Sequence, residues 1–326
     1  MSDSTPTPSE LRVLVVTNMY PVPQYPWYGN FVRDQVKALE RRGVRTEVFF
    51  IDGRASRWNY LRAVPRLRAA LKRGSYDLIH AHYVFSGMVA RCQRRLPILL
   101  NFHGADEALG YQGFLCRSIA PFVDEIVVTS DYHKSLARIE RAHVLPCGVD
   151  MELFRPMDPE AARRELGLAP EAKLVLFPAA LRPEKRIDVA RAAMEILRRR
   201  DPRAELVVAS GQPHERIPLY MNACDTMVMT SDLEGSPVSI KEAMACNLPI
   251  VSVRVSDVPE TIGTTRGCFL CDRTPEDVAQ KLGEALGFGG RTDGRERIRR
   301  YDIHSLVDRL LDLYRIVLEK KARKSR

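Results

Sequence analysis

Two runs of short apolar strands alternating with helix-period segments, separated by one proline-punctuated stretch, constrain this 326-residue chain more than any other feature. Residues 11–17 (LRVLVVT) are a short β-branched run bounded by Asn18 and Pro21; helical spacing follows at Val32, Val36 and Leu39, ending at Gly43. Further strands are predicted at 46–51, 78–81, 98–102 and 125–129. After residues 145–159 the alternation restarts, with strands predicted at 174–178, 205–209, 226–230 and 249–253. Alternation of this kind predicts parallel pairing, because each helical crossover returns the chain to the same end of the sheet. The expected fold class is therefore α/β, with two doubly wound Rossmann-like domains facing a central cleft at the carboxyl ends of their strands. We place the domains at 1–154 and 155–326. The last predicted helix, 303–318, carries Leu306, Val307, Leu310, Leu311, Leu313 and Tyr314 in one broad stripe that must pack on something, the N-terminal domain being a candidate. A basic tail, 320–326, follows it.

Length fits two domains of about 150 residues each. Apolar residues make up 45% and charged residues 28%, so each half can bury a core. Residues 1–10 are polar and lack the basic start and apolar core of a secretory signal, and no run of about 18 apolar residues occurs, so a cytoplasmic location is expected. Seven cysteines, an odd number spread through a large chain, fit reduced buried thiols and no disulfide framework. The net charge of +9 calls for an anionic partner: nucleic acid, an acidic membrane surface or a phosphorylated substrate.

The most informative segment is 231–253, SDLEGSPVSIKEAMACNLPIVSV. A strand ends near Thr230, a loop carries Glu234, Gly235, Ser236 and Pro237, and a helix from about Val238 presents Glu242. Gly235 lets backbone approach a ligand, and the free amides and positive dipole end of a helix start suit a diphosphate. The dipole contributes only about 0.3 to 1 kcal/mol when exposed, so cationic side chains must assist. Glu234 and Glu242 stand eight residues apart and can flank one ligand from two sides. The plain alternative is a surface loop acid and a solvated helix residue, as most glutamates are.

Here the sequence resembles the retaining GT-B glycosyltransferases of family GT4, whose signature is a glutamate, seven intervening residues and a second glutamate. The resemblance extends through DLIHAH (77–82), NFHGAD (101–106), LPCGVDMELF (145–154), RPEK (182–185) and PLYMNACD (218–225), all in the family's order. It implies a GT-B fold and transfer of a sugar from a nucleotide diphosphate donor, with UDP-sugars favoured. It places Glu234 on the transferred sugar, Gly235, Ser236 and Pro237 on sugar and phosphate, and Glu242 on the ribose hydroxyls. It also implies that His103 hydrogen-bonds to the donor, that Lys185 with Arg182 neutralises the leaving diphosphate, and that Gly29 lets the first helix approach the phosphates. A lone loop histidine outside such a context is more often structural, and any Lys or Arg in so basic a chain is by default a solvated charge.

No Asp-x-Asp motif of the metal-holding kind occurs, so no divalent metal and no cofactor are expected, the fixed cations acting in the metal's place. His80 and His82 lie two apart without a convincing third ligand, which favours positioning or packing. Cys268 and Cys271 form a CxxC without a second pair, and no G-x-G-x-x-G follows the first strand, which argues against zinc and NAD readings respectively. Four positions depart from the family pattern. Ala179, Ala180 and Leu181 stand where Gly-Arg-Leu is common, leaving Arg182 or Arg186 to supply the cation; Cys147 replaces an asparagine and Asn247 a glycine.

Residues 53–74 hold seven basic and no acidic residues, interleaved with Trp58, Tyr60, Leu61, Val64, Leu67 and Leu71 and started or kinked at Pro65. Two readings stand side by side: an amphipathic helix on an anionic membrane surface, or a packed helix with an arginine-rich solvent face. The phrases GNFVRDQ, YMNACD and KEAMACNLPIVSV resemble members that build cell-surface polysaccharides of teichuronic-acid type, which implies a glycan or lipid-linked acceptor and peripheral attachment at the cytoplasmic face of the membrane. The rival classes are a noncatalytic two-domain binding protein and a nucleic-acid-binding protein; nucleic acid is not the expected partner.

Overall fold

The structure is a computed structural model and describes residues 7–325. In chain order the first series is β1 (Arg12–Thr17), α1 (Asn30–Arg41), β2 (Arg45–Phe50), α2 (Trp58–Arg73), β3 (Leu78–His82), α3 (Val84–Arg91), β4 (Ile98–Asn101), α4 (Gly110–Ile119), β5 (Glu125–Val128), α5 (Asp131–Ala137) and β6 (His143–Val144). The second is α6 (Pro159–Leu166), β7 (Lys173–Phe177), α7 (Ile187–Arg198), β8 (Ala204–Val208), α8 (Ile217–Ala223), β9 (Thr226–Met229), α9 (Val238–Ala245), β10 (Ile250–Val253), α10 (Val258–Ile262), β11 (Cys268–Cys271), α11 (Pro275–Phe288), α12 (Gly294–Arg297) and finally α13 (Ile303–Ser325).

The chain packs as two compact units, one of residues 7–22, 28–147 and 303–325, the other of 23–27 and 148–302. The sequence reading had put the changeover at 154/155. Val149 belongs to the second unit because its amide bonds to Tyr301 O and its side chain joins that unit's core. The first unit holds a six-stranded sheet, β2-β1-β3-β4-β5-β6, and the second a five-stranded sheet, β11-β10-β9-β7-β8. All pairs are parallel. β3, β4, β5, β9 and β10 are buried along their whole length, as parallel strands covered on both faces must be.

β6 and β11 escaped the sequence reading. The two residues of β6 are too few to show a period, and β11 was read for its two cysteines; all seven cysteines of the chain are free. The helix at 58–73 runs through Pro65 rather than starting there, burying Ala63, Leu67, Ala70 and Leu71. No helix among the described residues is long and apolar enough to cross a membrane.

The stripe on α13 closes the first unit. Leu306, Val307, Leu310, Leu311, Leu313 and Tyr314 pack with Val13 and Val15 of β1 and Val32, Val36 and Leu39 of α1. Arg42 adds a paired contact to Asp308, at 2.8 Å. Leu310 is fully buried there, so Leu310→Ala should lower stability by about 2–5 kcal/mol through lost transfer energy and a residual cavity. A urea titration checks this; an unchanged midpoint would mean that α13 is not part of this core.

Candidate functional site

In the second sheet the chain runs β7 to β8 on one side, then returns to place β9 on the other side of β7. The reversal leaves a switch point between β7 and β9, where the loops leaving the two strands diverge and a ligand can enter at their carboxyl ends. Lys185 lies in the loop after β7 and Glu234 in the loop after β9, and Lys185 Nζ donates to Glu234 Oε1 at 2.5 Å. Both side chains are largely shielded, 15% and 12% exposed, so the pair is screened less than a surface ion pair. The two loops are knitted underneath: Thr230 Oγ1 donates to the carbonyls of Lys185 and Arg186, and the Asp232 amide donates to Glu184 O.

Past Glu234 the chain turns through buried Gly235, Ser236 and Pro237 into α9. Ser236 Oγ donates to Asp257 Oδ2 at 2.5 Å and accepts from Lys241 Nζ at 2.7 Å, while Ser256 Oγ donates to Gly235 O. Among the described residues no protein group accepts from the Ser236 amide. Glu242, one turn into α9 and 8% exposed, bonds to His214 Nε2 at 2.8 Å. His214 comes from the loop after β8, so three consecutive strand-end loops contribute to one end of this sheet. Such a set can offer one ligand an ammonium, backbone amides and a carboxylate.

The first unit gathers four buried histidines. His82 ends β3, and His103 follows β4; His82 Nδ1 and His103 Nε2 are 2.8 Å apart with the rings stacked. His103 Nδ1 faces the Cys147 thiol at 3.5 Å, and His80 Nδ1 bonds to the Tyr314 hydroxyl at 2.8 Å. Burial pushes His80 down to about 3, His133 to about 4, and His82 and His103 well below the ordinary range, so all four are neutral. Glu107 accepts from the amides of His103, Gly104 and Val84, fixing the loop after β4. Burial nevertheless pushes its carboxyl up to about 8. Tyr83, next to His82, is held at φ 70 and ψ 151, a conformation costly for a bulky residue and typical of constrained sites.

Gly29 caps α1 at φ 77, and a Cβ there would stand 2.4 Å from the Met19 carbonyl carbon, so only glycine fits. Lys185, Glu234, Gly235, Ser236, Pro237 and Glu242 gather at one end of the second sheet, and His103 belongs to the first unit. Arg182 does not join the Lys185–Glu234 pair: its guanidinium bonds to Glu184 at 3.1 Å and is 59% exposed. Arg186 is drawn off too, by Asp188 and Asp232. His80 and His82 are packing residues, and among the described residues no group of three His, Cys, Asp or Glu is arranged to hold a metal ion. Sequence reasoning missed His214, Lys241 and Asp257. Lys241 lies within the buried run Ile240–Ala245, but the sequence alone carried no signal of that burial. Asn247 sits at φ 56, which explains why glycine suits that position and asparagine tolerates it.

Residues 10–153 match the family described as Glycosyltransferase Family 4, and residues 214–287 match Glycosyl transferases group 1. The chain is 27% identical over 299 residues to a D-inositol 3-phosphate glycosyltransferase of Nocardia farcinica, covering 75% of this chain and 65% of that protein. It is 30% identical over 252 residues to one of Mycobacterium marinum, covering 61% and 53%. The chain thus spans less than two thirds of the length of either relative. In fold it is similar to a sucrose-phosphate synthase of Thermosynechococcus elongatus (TM-score 0.78, 19% identity, 94% of this chain and 98% of that one). It is also similar to Anabaena Alr3699/HepE in complex with UDP and glucose (TM-score 0.71, 16% identity, 93% and 98%). These likenesses establish GT-B architecture.

The buried histidines make acid stability a test of the first unit. Their folded pKa values lie below the ordinary 6.5, so the unfolded chain takes up protons first. The stabilisation is complete above pH 6.5 and is lost as pH falls; for His80 and His133 the loss runs toward pH 3 to 4 and reaches about 2 kcal/mol each at pH 5. Glu107, raised instead, opposes this with one group whose contribution falls as pH rises from about 4.5 to 8. His80→Gln should therefore shrink the Tm difference between pH 7.5 and pH 5; an unchanged difference would show that His80 is not held neutral.

Proposed function

We propose that the chain is a family 4 glycosyltransferase that moves a sugar with retention from a nucleoside diphosphate donor, UDP-sugar by preference, to a hydroxyl of a glycan or lipid-linked acceptor in cell-surface polysaccharide synthesis. The observation that carries the donor site is the Lys185–Glu234 pair over the switch point of the second sheet. An ammonium has three N–H donors; Glu234 takes one, leaving Lys185 able to hold the diphosphate at the same time. Glu234 positions the transferred sugar, the 235–237 loop meets sugar and phosphate, and Glu242, braced by His214, holds the ribose.

The acceptor hydroxyl attacks the anomeric carbon from the face the nucleotide leaves. The bond from that carbon to the diphosphate oxygen breaks, the new glycosidic bond forms, and the hydroxyl proton passes to the departing phosphate oxygen. Charge grows on the diphosphate as the bond breaks, so a fixed cation there stabilises the transition state more than the ground state, with no metal required. His103 is assigned a hydrogen bond to the sugar. The ring's contact to Cys147 is longer than its contact to His82 and is the one a sugar hydroxyl can replace. Arg182, solvent-facing, contributes less than Lys185.

The membrane-bound acceptor is supported by the surface of α2. All seven basic residues from Arg54 to Arg73 are exposed, and Trp58 and Leu61 are 68% and 64% exposed among them. α2 packs on α3 and α3 on α4, which exposes Tyr111 and Phe114, each 65%. Basic and aromatic side chains on neighbouring helices suit attachment to the cytoplasmic face of an anionic bilayer. The relatives' names favour a second acceptor, D-inositol 3-phosphate, for which no membrane is needed.

Two measurements test the proposal. With EDTA present, one of UDP, GDP and ADP at about a hundred times its Kd should add about 2.7 kcal/mol to stability, and Glu242→Ala should weaken that binding. No shift with any nucleotide would remove the donor site. In turnover, Lys185→Ala should lower kcat by about 10²–10³-fold and Arg182→Ala by much less. Equal losses would place the leaving-group cation at both residues. Sugar transfer to D-inositol 3-phosphate but not to membrane extracts would select the second acceptor.

A further inference from the structure

Lys241 has no exposed surface, yet it carries an ammonium into the interior of α9. Nothing in the chemistry above uses it. A buried ammonium persists only where hydrogen bonds and an opposite charge compensate it, and here the compensation converges on the donor loop. Lys241 Nζ donates to Ser236 Oγ at 2.7 Å, and Ser236 Oγ donates to Asp257 Oδ2 at 2.5 Å. The Nζ also lies 5.0 Å from the centroid of the Tyr301 ring, within cation–π range. Asp257 is half-buried, and its Oδ1 is shielded from solvent with no protein partner among the described residues. The neighbouring Ser256, at φ 50, donates its hydroxyl to Gly235 O.

The Ser236 hydroxyl is thus held from behind by a cation and an anion at once, and the carbonyl of the residue before it is held by Ser256. With those atoms committed to the interior, the Ser236 amide is left without a protein acceptor among the described residues. We propose that Lys241 is a positioning residue for the donor diphosphate: through Ser236 and Asp257 it locks the 235–237 loop so that its backbone amides face the phosphates. The proposal rests on the donor site described above and assigns the lysine no contact with substrate. It also makes the Ser236–Lys241–Asp257 set a unit, since losing Lys241 or Asp257 removes one of the two groups that hold the Ser236 hydroxyl, and losing Ser236 removes the hydroxyl itself.

The test compares the binding of a nucleoside diphosphate with that of its nucleoside, because a misplaced loop weakens phosphate binding while leaving ribose binding to Glu242 intact. Calorimetry on the wild-type protein first selects among UDP, GDP and ADP and fixes the affinity ratio of diphosphate to nucleoside. The variants are Ser236→Ala and the charge-neutral double substitution Lys241→Met with Asp257→Asn, each checked for folding by circular dichroism. The expected result is a fall of at least about tenfold in that ratio, with nucleoside affinity kept within about twofold. An unchanged ratio in folded variants overturns the proposal. So does loss of nucleoside and diphosphate binding together, which would make Lys241 a support of the whole unit. A wild-type protein that binds no nucleoside diphosphate defeats the donor site itself, and that outcome is distinct from either.

Discussion

The reversal of strand order in the second sheet is the constraint on which the rest of this molecule depends. Parallel strands need crossovers, and crossovers on opposite faces must part company somewhere; here they part between β7 and β9. The loops that leave those strands meet through Lys185 and Glu234. An exposed ion pair contributes about 0–1 kcal/mol, so the importance of this one lies in its placement, which leaves a partly shielded ammonium where a diphosphate can share it. Thr230, Asp232, Ser256 and Asp257 then hold the loop backbones so that the pair keeps its geometry.

The first unit solves a different problem by related means. Its loops after β3 and β4 are tied together by the buried carboxyl of Glu107 and by stacked neutral histidines rather than by ion pairs. Neutral imidazoles cost less to bury than charged groups and still fix direction, because each hydrogen bond requires one ring nitrogen to donate and the other to accept. The arrangement gives His103 a fixed orientation and makes this unit sensitive to acid. α13 completes the same core from the far end of the sequence, which is why its apolar stripe is wide.

Much of this was legible in the sequence. The strand–helix alternation gave nine of the strands because β-branched runs and helix-period segments differ in period. The spacing of Glu234 and Glu242, in the company of the other ordered motifs, pointed to the loops at one end of the second sheet, where both residues lie. What stayed hidden depends on contacts between distant residues. His214 precedes Glu242 by 28 positions and joins it only because adjacent parallel loops converge. Arg182 is two residues from a proposed phosphate cation, but its side chain turns to Glu184, a choice of rotamer that no spacing reveals. Lys241 was visible as a residue, yet its burial could not be inferred beside Glu242 in a helix whose polar residues suggested a solvated face.

The central claim is that the 234–238 loop and the first turn of α9 hold the donor phosphates. Hydrogen exchange of the full chain, measured by mass spectrometry with and without a saturating UDP-sugar, tests it most directly. The account predicts slower exchange at 234–242 and in the loop of Lys185, with the base of the same sheet unchanged. Protection confined to other segments, with 234–242 exchanging at its unliganded rate, would contradict it.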